Sequence, residues 1–254
     1  MKKYLYVIAN YNDNRQELFN KFISPKNKKF CKIHNYEYIE ITENLEPFRD
    51  NYTWLKFTKI KEWLDNNFLK ENDLVLNLDA DMSIMKFDTD YPNEKTFSYS
   101  IDNGNTHCMG NYSLRINEWS NQMINNLLSE ERFNFFKNYR WQSPSATGNH
   151  FGFWNDFREQ ASWYSLCGIK RHSFDSFFNI DNFGWHTELN EKVIYSIEDL
   201  QKHVQILKPE WNTTIMYGEG GESNPYFINK TKKEDTIIRH FAGGIPWFKQ
   251  YLEN

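Results

Sequence analysis

Two aspartates separated by one alanine, Asp79 and Asp81, stand between the apolar stretches VLNL and MSI. Carboxylates beside a buried strand are costly unless a cation pairs with them. Residues two apart in an extended chain point to the same face, so both carboxylates can approach one ion. Oxygen ligands suit Mg²⁺ or Mn²⁺, which keep positions open for water and substrate phosphates. The pair therefore predicts a divalent-cation site, for which a diphosphate leaving group is a natural partner.

A third candidate ligand follows a β-branched stretch near the end of the sequence. The stretch TII leads to His240, and Gly243 and Gly244 come shortly after it. A histidine at the end of a strand can supply nitrogen to the same ion. Glycines just beyond it let backbone N–H groups approach phosphate oxygens. A structural role for His240 is the alternative to metal binding.

The elements that would position these residues alternate between strand and helix in the first third of the chain. Patterning predicts strands over residues 3–11, 36–41 and 73–79, and helices over 16–35, broken near Ser24 and Pro25, and over 52–69. This order predicts an α/β fold with a mostly parallel central sheet flanked by helices. Ligands bind such sheets at the carboxyl ends of the strands, which is where Asp79 and Asp81 fall.

The second half of the chain is less regular. We predict a strand near residues 99–104, a long helix within 113–136, a helix over 155–168, a strand and turn over 203–212 and a strand ending at His240. Because no repeat or linker interrupts the chain, we expect one domain over residues 1–254. Its nucleotide-sugar- and metal-binding half would span about 1–105. Its acceptor-binding half, with a C-terminal loop for the metal and the diphosphate, would span about 106–254.

Bulk composition excludes several classes of function. The net charge of −4 gives no basic excess for nucleic-acid binding. Three widely spaced cysteines fit neither a disulfide framework nor a zinc module. The N-terminal apolar run is too short for a signal peptide, and no run is long enough to span a bilayer, so we expect a cytoplasmic protein. Aromatic residues make up 18% of the chain, which indicates either core packing or a platform for sugars.

Several blocks of sequence occur in an order that resembles nucleotide-sugar glycosyltransferases of the GT-A fold. The blocks are WLKFTKIKEWL followed by DLVLNLDADMSI, then MGNYSLRINEWS, DFREQASWYSL, PEWN and RHFAGG. The order is most similar to the galactosyl/mannosyl-transferase group, which includes yeast mannan enzymes and plant xyloglucan xylosyltransferases. It is also similar to small viral and bacterial GT-A enzymes. The DAD after a strand and the terminal HFAGG are its most specific parts.

The resemblance implies a metal-dependent transfer of a sugar from a nucleoside-diphosphate sugar, expected to be a UDP-sugar, to a hydroxyl of a glycan. Asp79, Asp81 and His240 would hold Mn²⁺ or Mg²⁺. The other expected contacts to the donor are Tyr11 at the base, Lys56 at a phosphate or the base, Gly110 and Asn111 at the junction of sugar and acceptor, and Gly243 and Gly244 along the diphosphate. Alternatives are a solvated helix face for Lys56 and packing on a loop for Tyr11.

The resemblance also implies where the reaction would be assisted. Glu159 and Gln160 match the acidic-glutamine pair that lies under the anomeric carbon in retaining relatives. An inverting reaction would instead need a carboxylate base, for which Glu159 or Asp156 are the candidates. The alternative is that Glu159 and Gln160 reflect helix propensity alone.

Two other functions remain open. A phosphatase of the haloacid-dehalogenase type also places Asp-x-Asp after an apolar strand, with the first aspartate as nucleophile. Such enzymes usually begin with that strand, whereas two β-α units precede it here. A non-catalytic carbohydrate-binding relative would fit the aromatic content but would leave the DAD and HFAGG stretches without a purpose.

Overall fold

A computed structural model describes residues 1–10, 14–42, 53–101, 107–136, 158–167, 193–214 and 234–241. A six-stranded central sheet contains β1 (Lys3–Ile8), β2 (Glu37–Ile41), β3 (Leu74–Leu78), β5 (Phe97–Ile101), β6 (His107–Arg115) and β7 (Val204–Leu207). A small sheet contains β4 (Met82–Ile84), β8 (Thr213–Thr214) and β9 (Ile238–His240). The strand orders are β2-β1-β3-β6-β5-β7 and β4-β9-β8.

The helices pack against both faces of the central sheet. They are α1 (Asn14–Leu18), α2 (Ser24–His34), α3 (Leu55–Asp65), α4 (Glu118–Leu127), α5 (Glu130–Phe136), α6 (Arg158–Cys167) and α7 (Ile197–His203). A π-helical turn, Phe19–Ile23, joins α1 to α2, and Pro25 lies in the first turn of α2, where its missing N–H leaves no bond unmade. The chain stays helical over residues 14–34, so the predicted break near Ser24 and Pro25 is wrong: a π-helical segment precedes these residues without interrupting the helix. No helix in the described ranges is long and apolar enough to cross a membrane.

Strand directions confirm the predicted fold class. β1 pairs in parallel with β2 and β3, and β5 pairs in parallel with β7. β6 alone in this sheet runs the other way, antiparallel to β3 and β5. The sheet is thus mostly parallel, as expected. The sequence prediction omitted β6, which ends at residues 113–115. The single long helix predicted within 113–136 is two shorter helices, α4 and α5.

Two hydrophobic cores lie on opposite faces of the central sheet. Alternate residues of β1 point in opposite directions, so Tyr6 enters the core under α3, α4 and α6, and Leu5 enters the core under α2 and the small sheet. In the first core, Phe57 of α3 stacks on Tyr112 of β6 with ring centroids 5.0 Å apart. Core packing therefore accounts for part of the high aromatic content.

The central position of β3 predicts a large loss of stability on truncation. Leu76 is fully buried, so Leu76→Ala should lower the free energy of unfolding by about 2–5 kcal/mol. Ile33 on α2 is 51% exposed, so Ile33→Ala should change the free energy of unfolding by about 0.5 kcal/mol or less. Urea denaturation of both variants measures the difference, and equal losses would contradict the placement of β3.

Candidate active site

The turn that follows β3 holds the two aspartates at the carboxyl edge of the sheet. The N–H of Asp79 donates to the carbonyl of Gly110 in β6, at 2.7 Å. The N–H of Met82 donates back to the Asp79 carbonyl, at 3.0 Å, which closes the turn. Asp79 and Asp81 are therefore positioned by backbone hydrogen bonds between the central and small sheets, at the edge that the sequence predicts.

The small sheet brings His240 to the same turn. β4 and β9 are antiparallel, with Met82 opposite His240. The N–H of Phe241 donates to the Asp81 carbonyl, at 2.9 Å. As a result, His240 Nε2 lies 3.6 Å from Asp81 Oδ1. The predicted proximity of the DAD stretch and His240 is what this pairing produces.

Gly110 lets β6 pass directly beneath the Asp79 carboxylate. A Cβ atom at this position would lie 3.0 Å from Asp79 Oδ2 and 2.5 Å from the terminal carbon of Met82. The same Cβ would lie 3.2 Å from Cys108 Sγ. A side chain at residue 110 would therefore press against the Asp79 carboxylate. This crowding is a steric reason for a glycine at this position.

Lys56 is a buried cation at the centre of the site. Its Nζ lies 3.0 Å from Asp79 Oδ1 and 3.2 Å from Glu159 Oε1, and it donates to the Met109 carbonyl at 3.0 Å. The Tyr6 hydroxyl donates to the Lys56 carbonyl at 2.6 Å, which fixes the start of α3 against β1. The alternative of a solvated helix face is wrong, because Lys56 is only 4% exposed.

Glu159 and Gln160 at the start of α6 are both buried against β6. Gln160 Oε1 accepts the Met109 N–H at 3.0 Å, and its Nε2 donates to the Tyr164 hydroxyl at 2.9 Å. Glu159 Oε2 has no hydrogen-bond partner within the described ranges. Helix propensity alone does not account for two buried, partnered side chains, but their catalytic roles stay predictions.

Carboxylates outnumber cations in this cluster. Partial burial raises the pKa of Asp79 to about 6; Lys56 opposes the rise, and Asp81 and Glu159 add to it. Burial would lower the pKa of Lys56, but Asp79 and Glu159 raise it overall. Burial would likewise lower the pKa of His240, but Asp81 raises it well above its ordinary value. Three carboxylates thus face two cationic side chains, which favours a further cation.

The donor set of the cluster fits a divalent cation. Two carboxylates and an imidazole are oxygen and nitrogen ligands of the kind that Mn²⁺ and Mg²⁺ accept. Asp79 bonds to Lys56 and Asp81 faces His240, so a cation would compete with these contacts. In the part of the chain that the structure describes, no three His, Cys, Asp or Glu side chains are already assembled around one metal position.

Of the remaining candidates, Asn111 is hydrogen-bonded within the fold, and its predicted contact with the substrate stays a prediction. Asn111 is fully buried; its Oδ1 accepts from the hydroxyls of Ser100 and Tyr91, and its Nδ2 donates to the Trp211 carbonyl. Its side chain therefore ties β6 to the 3₁₀ turn Pro209–Trp211. The residues that lie outside the described ranges are Tyr11, Asp156, Gly243 and Gly244.

One residue of the site was not among the candidates. Asn212 is fully buried, and its Oδ1 lies 3.1 Å from His240 Nδ1. It belongs to the PEWN block of the resemblance, but an asparagine in a predicted turn gives no signal of its target. Only the pairing of β8 with β9, which places Thr214 opposite His240, brings Asn212 to the imidazole.

The fold is that of GT-A glycosyltransferases. It is similar to the crystal structure of a glycosyltransferase involved in the glycosylation of the major capsid of PBCV-1, with 12% identity, a TM-score of 0.52 and 98% of each chain covered. An alignment with the galactosyltransferase LgtC, in complex with donor and acceptor sugar analogues, has 11% identity and a TM-score of 0.37, and covers 94% of this chain and 87% of LgtC. No protein-family model and no curated protein sequence matches the chain. The predicted resemblance is therefore confirmed at the level of the fold.

Removal of the buried cation should destabilise the site and the fold together. Lys56→Met should lower the free energy of unfolding by about 2–3 kcal/mol, because it leaves Glu159 and Asp79 without their cation. This is less than for a fully buried pair, since the Asp79 side chain is 37% exposed. Urea denaturation measures the change.

Lys61→Met on the same helix is the matched control. Lys61 pairs with Asp65 across an exposed i,i+4 contact, so this change should cost about 0.5 kcal/mol or less. Adding Glu159→Gln to Lys56→Met should restore part of the loss, because it neutralises the more buried carboxylate. Equal effects of the two lysine substitutions would contradict the central role of Lys56.

Proposed function

We propose that this protein is a metal-dependent glycosyltransferase that moves a sugar from a nucleoside-diphosphate sugar to a hydroxyl of a glycan acceptor. We expect a UDP-sugar as the donor. The observation that supports the proposal is the contact of His240 with Asp81, two residues after Asp79, at the carboxyl edge of β3 in a GT-A fold. The glycosyltransferases with similar structures support the choice of sugar transfer among the reactions that such a site can serve.

Each side chain of the cluster has a distinct part in the proposal. Asp79, Asp81 and His240 would hold Mn²⁺ or Mg²⁺, which when bound supplies positive charge to a departing diphosphate. The Lys56 ammonium favours the ionised form of the Asp79 carboxylate and holds it in place. Gly110 leaves room for that carboxylate above β6. Roles for Tyr11, Gly243 and Gly244 at the nucleotide stay predictions.

The stereochemical course depends on Glu159 and Gln160. Gln160 Oε1 accepts the Met109 N–H, so direct support of an anomeric carbon by this oxygen would require that bond to be exchanged. Glu159 Oε2 is buried without a hydrogen-bond partner among the described residues, so a role as base in an inverting reaction, or as a donor contact in a retaining one, requires the substrate to reach this buried oxygen. Proton NMR of the anomeric signal in the first product distinguishes the two courses.

The alternatives make different demands on the same residues. A phosphatase of the haloacid-dehalogenase type would use Asp79 as a nucleophile in a different fold, whereas the fold here is GT-A. A non-catalytic relative would bind the donor without transferring the sugar, so a measurement of turnover distinguishes it from an enzyme.

The cytoplasmic location stays a prediction.

A thermal-shift panel with Asp81→Asn tests the proposal. UDP or a UDP-sugar should raise the melting temperature of the unmodified protein only with Mn²⁺, because a ligand that binds the native state stabilises it by mass action. Asp81→Asn should keep its circular dichroism spectrum and lose that shift. Asp88→Asn, a nearby exposed carboxylate, should keep the shift. Unchanged Mn²⁺-dependent turnover by Asp81→Asn would contradict the proposal.

A further inference from the structure

The two ring nitrogens of His240 face different partners. Nδ1 lies 3.1 Å from Asn212 Oδ1, and Nε2 lies 3.6 Å from Asp81 Oδ1. An amide oxygen only accepts hydrogen bonds, so Nδ1 carries a proton in this contact. With the Nδ1 proton held in this contact, loss of the Nε2 proton leaves a lone pair on Nε2 that can serve a cation, and Nε2 faces Asp81.

The backbone around Asn212 is held firmly. Its N–H donates to the Pro209 carbonyl at 2.9 Å, and its carbonyl accepts from the Thr214 hydroxyl at 3.3 Å. The preceding carbonyl, of Trp211, accepts the Asn111 amide from β6. The asparagine is therefore tied to the same strand that passes beneath Asp79, and its side chain is placed before any ligand arrives.

We propose that Asn212 is a positioning residue that fixes the orientation of His240 and the proton on Nδ1, so that Nε2 is presented to the cation. This role rests on the proposed function, because it requires a cation at Asp79, Asp81 and His240. Hydrogen bonds to the far nitrogen of a metal-binding histidine typically change metal affinity by about 10–100-fold.

The orientation of the Asn212 amide decides which ring nitrogen of His240 carries the proton. Asn212 Nδ2 has no hydrogen-bond partner among the residues that the structure describes, so His240 is the contact that distinguishes the two amide orientations. A rotation of the amide by a half-turn would direct Nδ2 at Nδ1. The neutral ring would then carry its proton on Nε2 and have no lone pair for a cation.

The test combines Mn²⁺ affinity with the protonation of His240. Calorimetry with Mn²⁺ alone should show affinity about 10–100-fold lower for Asn212→Leu than for the unmodified protein. Asn212→Asp keeps an acceptor at Nδ1 and should bind Mn²⁺ at least as tightly as the unmodified protein. In Mg²⁺-saturated protein labelled with ¹⁵N-histidine, His240 should carry its proton on Nδ1 and none on Nε2. His240→Gln assigns the signal.

The outcomes separate this role from the proposed function. Equal Mn²⁺ affinity for the unmodified protein and Asn212→Leu would overturn the role of Asn212 and leave the metal site standing. Failure of the unmodified protein to bind Mn²⁺ would overturn both. A lower melting temperature of Asn212→Leu with unchanged affinity would indicate packing alone and also overturn the role. If Asn212→Leu does not fold, the NMR measurement on the unmodified protein decides, and a proton on Nε2 there would overturn the role.

Discussion

The rest of the site depends on the ion pairs that the Lys56 ammonium makes with Asp79 and Glu159. This ammonium lies between Asp79 at the end of β3 and Glu159 at the start of α6, and it also bonds to β6 through the Met109 carbonyl. Without a buried cation, carboxylates this close to a hydrophobic core would be expelled or protonated. The single lysine therefore allows two acidic side chains to remain where a sheet edge meets two helices.

The position of Asp79 beside Lys56 is linked to the positions of Gly110, β4 and β9. Because Asp79 lies against β6, a Cβ atom at residue 110 would crowd Met82 and Asp79, and the turn through Asp81 leads from the central sheet to β4. β4 can then pair with β9, which delivers His240 to Asp81. The small sheet therefore brings the turn that contains Asp79 and Asp81 next to His240, which lies near the other end of the sequence.

The sequence predicts the parts of this arrangement that depend on local patterns. β3, with the sequence LVLNL, has the apolar character of a strand buried on both faces, and the aspartates follow it immediately. Lys56 lies on a helix of mixed character, so no periodicity separates a buried lysine from an exposed one such as Lys61. The pattern does not predict β6, because Gly110 and Asn111, which serve Asp79 and the 3₁₀ turn, interrupt its apolar residues. Those contacts join distant segments and leave no local signature.

The proposed function requires that Asp79, Asp81 and His240 form one cation site that also binds a diphosphate. The most direct measurement is an anomalous-difference map from crystals grown with Mn²⁺ and UDP. We expect a manganese peak bonded to Asp81 and to His240 Nε2, with Asp79 and the diphosphate as its other neighbours. Manganese bound elsewhere on the protein, or UDP bound with no metal beside its phosphates, would contradict it.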